Sequence, residues 1–208
     1  MSAKTYQPAL LSVAVAALFL SPCAALGEAK VVAEKPKFDS LLSPEFGGAK
    51  MKTFKPKEWL EVESKIKIMM SPEPKSKTCD RITVKWYVAV KNPDKPSTFL
   101  KLTKEVEHVN IPLNEEVYVS AYLSPASIMR LTGGDRASKQ AVKFVGYEVL
   151  IDGKVLASET DKGEPKWWSL PSNNIAESTT VPVLSKAETP FAQMWWDRYA
   201  EVKSKTGP

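Results

Sequence analysis

Histidines, thiols and paired carboxylates carry most enzymatic chemistry, and this chain has few of them in useful arrangements. A single His, His108, excludes three-His, His-His-Glu and HExxH metal centres within one chain. Two Cys, Cys23 and Cys79, exclude a disulfide framework and any Cys-clustered zinc or iron–sulfur site. His108 follows Glu107, and neighbours in a strand face opposite ways, so the spacing predicts a partly exposed surface His. Three carboxylate pairs remain: Glu61/Glu63, Glu105/Glu107 and Glu115/Glu116. In a strand, positions i and i+2 share a face roughly 6.5–7 Å apart, a separation that would suit glycoside hydrolysis. The two strand pairs sit among Lys, however, as on a solvated sheet face. No Gly-x-Ser-x-Gly elbow, phosphate-cradling Gly loop or dinucleotide fingerprint occurs. The expectation is no catalytic residue, no metal and no cofactor.

Tryptophan is the other chemically expressive residue, with six in the chain. Trp86 lies in phase with a core face. Two adjacent pairs, Trp167-Trp168 and Trp195-Trp196, are harder to bury together. If Trp167 and Trp168 lie in a strand, one of them faces outward. If the last segment is a helix, Trp195 falls in its apolar stripe and Trp196 about 100° round from it. Outward Trp can stack on sugar rings or anchor a protein interface. Trp167, Trp168 and Trp196 are therefore the candidate ligand- or partner-binding residues.

The elements that must position these residues read mainly as strands. The chain has 208 residues, 43% of them hydrophobic, with 29 Lys+Arg against 24 Asp+Glu, the composition of a globular protein. Residues 1–27 read as a secretory signal peptide: Lys4, an apolar run from Ala9 to Leu20, a Ser21-Pro22 break, then small residues placing cleavage after Ala25 or Gly27. No later apolar run reaches the ~18 residues of a membrane-spanning helix, so a soluble exported chain is expected. Removing Cys23 leaves Cys79 without an internal partner.

Residues 28–57 hold seven Lys against four acidic residues, with three Pro and Gly47-Gly48. They read as a flexible or extended basic segment, with the folded domain, 58–208, starting near Glu58. Phe38, Leu41, Leu42 and Phe46 are the exceptions, able to dock on the domain or on a partner.

From Trp59 the apolar period is two, through Leu60, Val62, Ile66 and Ile68. It resumes at Ile82, Val84, Trp86 and Val88, and again at Leu100, Leu102 and Val106. The phase slips at His108-Val109, suggesting a bulge or bend. Val117–Leu123 makes a fourth strand, and Ser124-Pro125 opens a short helix that Gly133-Gly134 ends. Residues 140–151 are apolar on both faces, as in a central strand, and Asp152-Gly153 marks a tight hairpin. Short strands are expected near Trp167–Leu170 and Val181–Leu184, the second an edge because of Pro182. Thr189 and Pro190 then start an apparent C-terminal amphipathic helix with Phe191, Trp195, Tyr199 and Val202 on one side. The fold predicted is a mainly β, Ig-like β-sandwich of seven to eight strands with a short inserted helix and a C-terminal amphipathic helix; a barrel is the competing arrangement.

The chain resembles the secreted immunoglobulin-like proteins encoded beside pilus genes in mucin-associated verrucomicrobial bacteria. The signal peptide, the strand series and the closing Met194-Trp195-Trp196-Asp197-Arg198-Tyr199 carry the resemblance. It implies an Ig-like fold, an envelope location and a pilus- or surface-associated role. It does not imply a filament-forming subunit, because no pilin leader is present.

These readings converge on a non-enzymatic exported binding or structural module located in the periplasm, at the outer membrane or outside the cell. Its expected partner is an envelope or surface protein, with pilus-related proteins among the candidates. A carbohydrate-binding module using outward Trp is the alternative, and an envelope hydrolase a distant third. Self-association through Cys79 or the C-terminal helix is a further option. Nucleic acid is not expected, because 25 of the 29 basic residues are scattered Lys and only four are Arg.

Overall fold

A computed structural model describes residues 28–45, 55–134 and 141–204. Residues 1–27 and the cleavage site expected within them lie outside the described residues. Two sheets pack face to face as a β-sandwich. The first has the order β1-β3-β6-β10, with β2 also paired to β3: β1 Glu28–Ala33, β2 Lys37–Leu42, β3 Glu58–Ser71, β6 Glu116–Leu123 and β10 Leu184–Ser185. The second has the order β8-β7-β4-β5-β9: β4 Thr78–Lys91, β5 Phe99–Pro112, β7 Val142–Ile151, β8 Lys154–Thr160 and β9 Ile175–Glu177. All pairings are antiparallel except β5 with β9.

The alternation read from sequence builds the inner faces. Leu60, Val62, Ile66 and Ile68 of β3 join Val117, Val119 and Ala121 of β6 on one side. Ile82, Val84, Trp86 and Val88 of β4, with Val145, Tyr147 and Val149 of β7, form the other. Trp86 stacks on Tyr147 with ring centroids 5.0 Å apart. Where the inner face carries hydroxyls, they satisfy one another and the backbone. Ser64 Oγ and Tyr147 Oη lie 2.8 Å apart and each 2.7 Å from the Glu34 carbonyl, so one hydroxyl donates to that carbonyl and the other to its neighbouring hydroxyl.

Several local readings hold. The helix α1, Pro125–Thr132, starts at Ser124, whose side chain accepts from the Ser127 amide, and ends at Gly133 in the left-handed region. Asp152 and Gly153 both take positive φ in the β7–β8 hairpin, as a type I′ turn requires. The phase slip in β5 is real and sits at Asn110, whose φ is 54°. It falls after His108, so His108 stays in phase with Val106 and points inward, 2% exposed. The surface His expected from sequence is a buried one.

Within the 28–57 segment, residues 28–42 depart from their reading, while Phe46 and Gly47-Gly48 lie outside the described residues. Strand β1 pairs with the second half of β3 and β2 with the first half, separated by Glu34-Lys35-Pro36. Together they form an interrupted edge strand, so Glu28–Leu42 belong to the folded unit, which was expected to start near Glu58. Its apolar residues are too few to show a period, but Val31, Ala33 and Phe38 are enough to pack on the core. The register with β3 supplies the backbone hydrogen bonds that local sequence does not advertise. Limited trypsin digestion of the folded protein is expected to spare Lys30 and Lys37. Early loss of an N-terminal fragment at an unchanged melting temperature would show that these strands are dispensable.

Cys79 is buried and free, and burial pushes its thiol pKa up. A thiol so placed is not presented for the intermolecular disulfide considered above.

Candidate functional site

Trp167 and Trp168 do not form an outward pair. They lie in a 3-10 turn, Trp167–Ser169, entered from Lys166 at φ 54°, and each is 5% exposed. The turn lays both rings on the outer face of the second sheet. Trp168 stacks on Tyr87 at 4.8 Å with a 6° interplanar angle, and Trp167 packs on Phe144 at 5.7 Å. Lys101 Nζ donates to the Trp168 carbonyl at 2.8 Å. The rule that strand neighbours diverge fails here because the residues are not in a strand. Gly146 was the available signal: a Gly inside a central strand marks close approach, and a Cβ there would meet Trp168 Cζ3 at 2.1 Å.

The C-terminal segment is not an amphipathic helix. After β10 it makes a 3-10 turn, Lys186–Glu188, crosses the outer face of the first sheet, makes a second 3-10 turn, Trp196–Arg198, and then bridges to β6 at Tyr118 and to β5 at His108. Its backbone is claimed by the strands it crosses. The Ala200 amide donates to the Tyr118 carbonyl at 2.9 Å, the Val109 amide to the Glu201 carbonyl at 3.0 Å, and the Lys203 amide to the Glu107 carbonyl at 2.9 Å. These bonds tie β6 to β5 and compete with the i to i−4 bonds of a short helix, which is marginal alone. Trp195 takes φ 51°, a left-handed conformation that interrupts any helix and is unusual for a bulky residue.

The crossing segment covers polar residues that the sequence pattern left in solvent. Glu61 is buried, accepting from Tyr122 Oη at 2.5 Å and Tyr199 Oη at 3.0 Å. Burial pushes its carboxyl pKa up, against the pull of these two hydrogen bonds. Arg198 Nη2 donates to both Glu63 carboxylate oxygens at 2.9 Å, and the Arg198 guanidinium lies 3.7 Å from the centre of the Tyr118 ring. Glu188 is fixed by the Ser185 amide at 2.7 Å and by Lys104. Burial alone would raise the Glu188 pKa, but these hydrogen bonds hold it down at about 2. The Glu61/Glu63 pair is thus a fastening for the closing segment.

Phe191 is the apolar anchor of the same segment. It stacks on Tyr122 at 5.5 Å and meets Trp59 edge-on at 5.8 Å. Trp195 stacks on the far side of Phe191 at 6.3 Å and remains 47% exposed. Trp196 is 58% exposed and lines a cavity of about 220 Å³ together with Lys186, Gln193, Tyr199 and Glu201. A larger groove of about 660 Å³ runs beside it along β5, between Lys104 and Glu107 and the closing residues Val202 and Lys203. Of the three Trp singled out from sequence, only Trp196 reaches solvent; Trp195, assigned to a buried stripe, joins it there. Among the described residues, no three His, Cys, Asp or Glu side chains cluster as a metal site would require, and no helix is long and apolar enough to cross a membrane.

No curated protein matches this chain. A protein-family model matches residues 23–206. A crystal structure of a protein from Akkermansia muciniphila is 38% identical, superposes with a TM-score of 0.81, and aligns over 85% of this chain and 94% of that one. With that identity over nearly the whole domain, the chain belongs to the family of this Akkermansia muciniphila protein and shares its two-sheet fold.

Proposed function

We propose that the protein is an exported, non-enzymatic module that binds a partner at the cell surface through Trp195 and Trp196. The observation that carries this reading is a pair of half-exposed indoles on a rigid base. Phe191, Tyr199 and Arg198 fasten the segment on both sides of the pair, so the rings are presented at little entropic cost. Large aromatics held in this way are typical interface anchors. A surface or envelope protein is the partner class, with a pilus component first to be tested; the signal-peptide pattern supports export, and the Ig-like resemblance supports the pilus setting.

A carbohydrate ligand is the second reading. It is favoured by the exposed polar neighbours Gln193 and Asp197 beside the two indoles. Capture of purified envelope proteins, pili and mucin glycans by the mature protein separates the two readings. Trp195→Ala and Trp196→Ala are each expected to weaken capture by about thirtyfold, the scale of a ~2 kcal/mol hot spot. Trp195→Ala should also cost less stability than the ~3–5 kcal/mol of a buried Trp, because its ring is half exposed. Unchanged capture by both variants would remove this surface from consideration.

A further inference from the structure

We propose that the cavity beside Trp196 binds a small carboxylate-bearing group with an apolar face, the size of one sugar ring or one amino-acid side chain, and that Lys186 receives the carboxylate. The proposal rests on the reading of Trp195–Trp196 as a contact surface and names what one part of it recognises.

Lys186 is 5% exposed and lines this cavity. An ammonium has three N–H donors. One is used, on the Ala192 carbonyl at 3.2 Å, and the cation lies 5.0 Å from the centre of the Tyr199 ring. Among the described residues, no carboxylate lies within ion-pair distance of it. Glu61 attracts it from β3, but Glu61 already accepts from Tyr122 and Tyr199. Glu201, on the cavity wall, accepts from Asn110 Nδ2 at 3.2 Å. A buried charge is costly unless paired, so a cation with spare donors in a cavity wall is matched by an anionic occupant.

The rest of the cavity defines the remainder of the ligand. Trp196 offers a flat apolar wall, and Gln193 and Ser204 offer polar groups around it. The volume of about 220 Å³ is below the ~300–1,000 Å³ typical of drug-sized pockets, which limits the occupant to one ring or one side chain.

The test is a titration of the full mature protein, followed by Trp fluorescence, with two acidic probes and their neutral twins: glucuronate against glucose, and acetyl-glutamate methylamide against acetyl-glutamine methylamide. At least one acidic probe is expected to bind about tenfold more tightly than its twin, the scale of one charge-assisted hydrogen bond. The pair that discriminates identifies the source of the carboxylate. Lys186→Met should abolish the preference and Lys186→Arg should retain it. Absence of a saturable response to either acid, equal binding of both twins, or an unchanged preference in Lys186→Met overturns the proposal. If Lys186→Met does not fold, the preference of the native protein decides alone. Loss of partner capture in Trp196→Ala without any acidic preference defeats this inference and leaves the surface reading standing. Acidic preference with capture untouched by both Trp variants does the reverse.

Discussion

Trp168→Ala is expected to destabilise the protein by about 3–5 kcal/mol, measured as a shift in the denaturant midpoint, although Trp168 lies outside the main core. Its ring lies on the outer face of the second sheet, stacked on Tyr87 and set edge-on to Trp167 at 5.7 Å. Together with Ala89 and Trp167 it forms a separate apolar cluster, flanked by Phe144 and Ile175. Gly146 is the floor of that seat, so Gly146→Ala should cost about 1–3 kcal/mol by forcing the ring outward. The double variant should cost less than the sum, because the new methyl then enters the space the indole vacated. A change within ~0.5 kcal/mol for Trp168→Ala would mean that the turn does not hold its ring on the sheet in solution.

The second large effect is on the acid side. Stability is expected to fall by about 3 kcal/mol as pH drops from 6.5 to 4, through the single histidine. His108 Nδ1 lies 3.1 Å from the Ala200 carbonyl, so Nδ1 carries the proton and Nε2 is left as a buried acceptor with no partner among the described residues. Burial lowers its pKa from the ordinary 6.5 to about 4, with the backbone bonds at Ala200 and Glu201 pulling weakly the other way. Above pH 6.5 both folded and unfolded forms are neutral and His108 contributes no pH dependence. Below it the unfolded chain takes up a proton that the folded chain refuses, so stability declines by up to ~1.4 kcal/mol per pH unit until about pH 4. Glu61, with a raised pKa, has the opposite slope: its share is present at low pH and lost as pH rises through the folded value. His108→Asn keeps a donor near the Nδ1 position and cannot titrate, so its stability should fall less steeply between pH 6.5 and 4.5. Equal slopes in the two proteins would show that His108 gains a proton in the folded state without penalty.

Period-two alternation was legible wherever a strand has one wet face. It located β3, β4 and β6, and the doubly apolar run of β7 marked a central strand. Cap and turn chemistry located α1 and the β7–β8 hairpin, because Ser124, Pro125, Gly133 and Asp152-Gly153 act on their own backbone. These features depend on residues within a few positions of one another, and local sequence determines them.

Tertiary structure decided the rest. Strands β1 and β2 exist because β3 offers a free edge, which no pattern in 28–57 reports. The closing segment carries a helical stripe of Phe191, Trp195, Tyr199 and Val202, yet those side chains serve different surfaces. Phe191 packs on Tyr122, Tyr199 reaches Glu61 and Glu63, and Val202 packs against the main core, while Trp195 is left half in water. Glu61 is covered by this segment through Tyr199, and His108, already pointing inward in phase with Val106, is closed over where the segment pairs at Ala200 and Val202. Trp167 and Trp168 turned inward because a 3-10 turn can aim neighbouring side chains at one surface, which a strand cannot. The sequence alone singled out Trp as the residue type to watch and argued against catalytic motifs. Which Trp meet solvent was settled by ring contacts and hydrogen bonds between residues far apart in the chain, such as Tyr87 with Trp168 and Tyr199 with Glu61, whose partners local sequence cannot name.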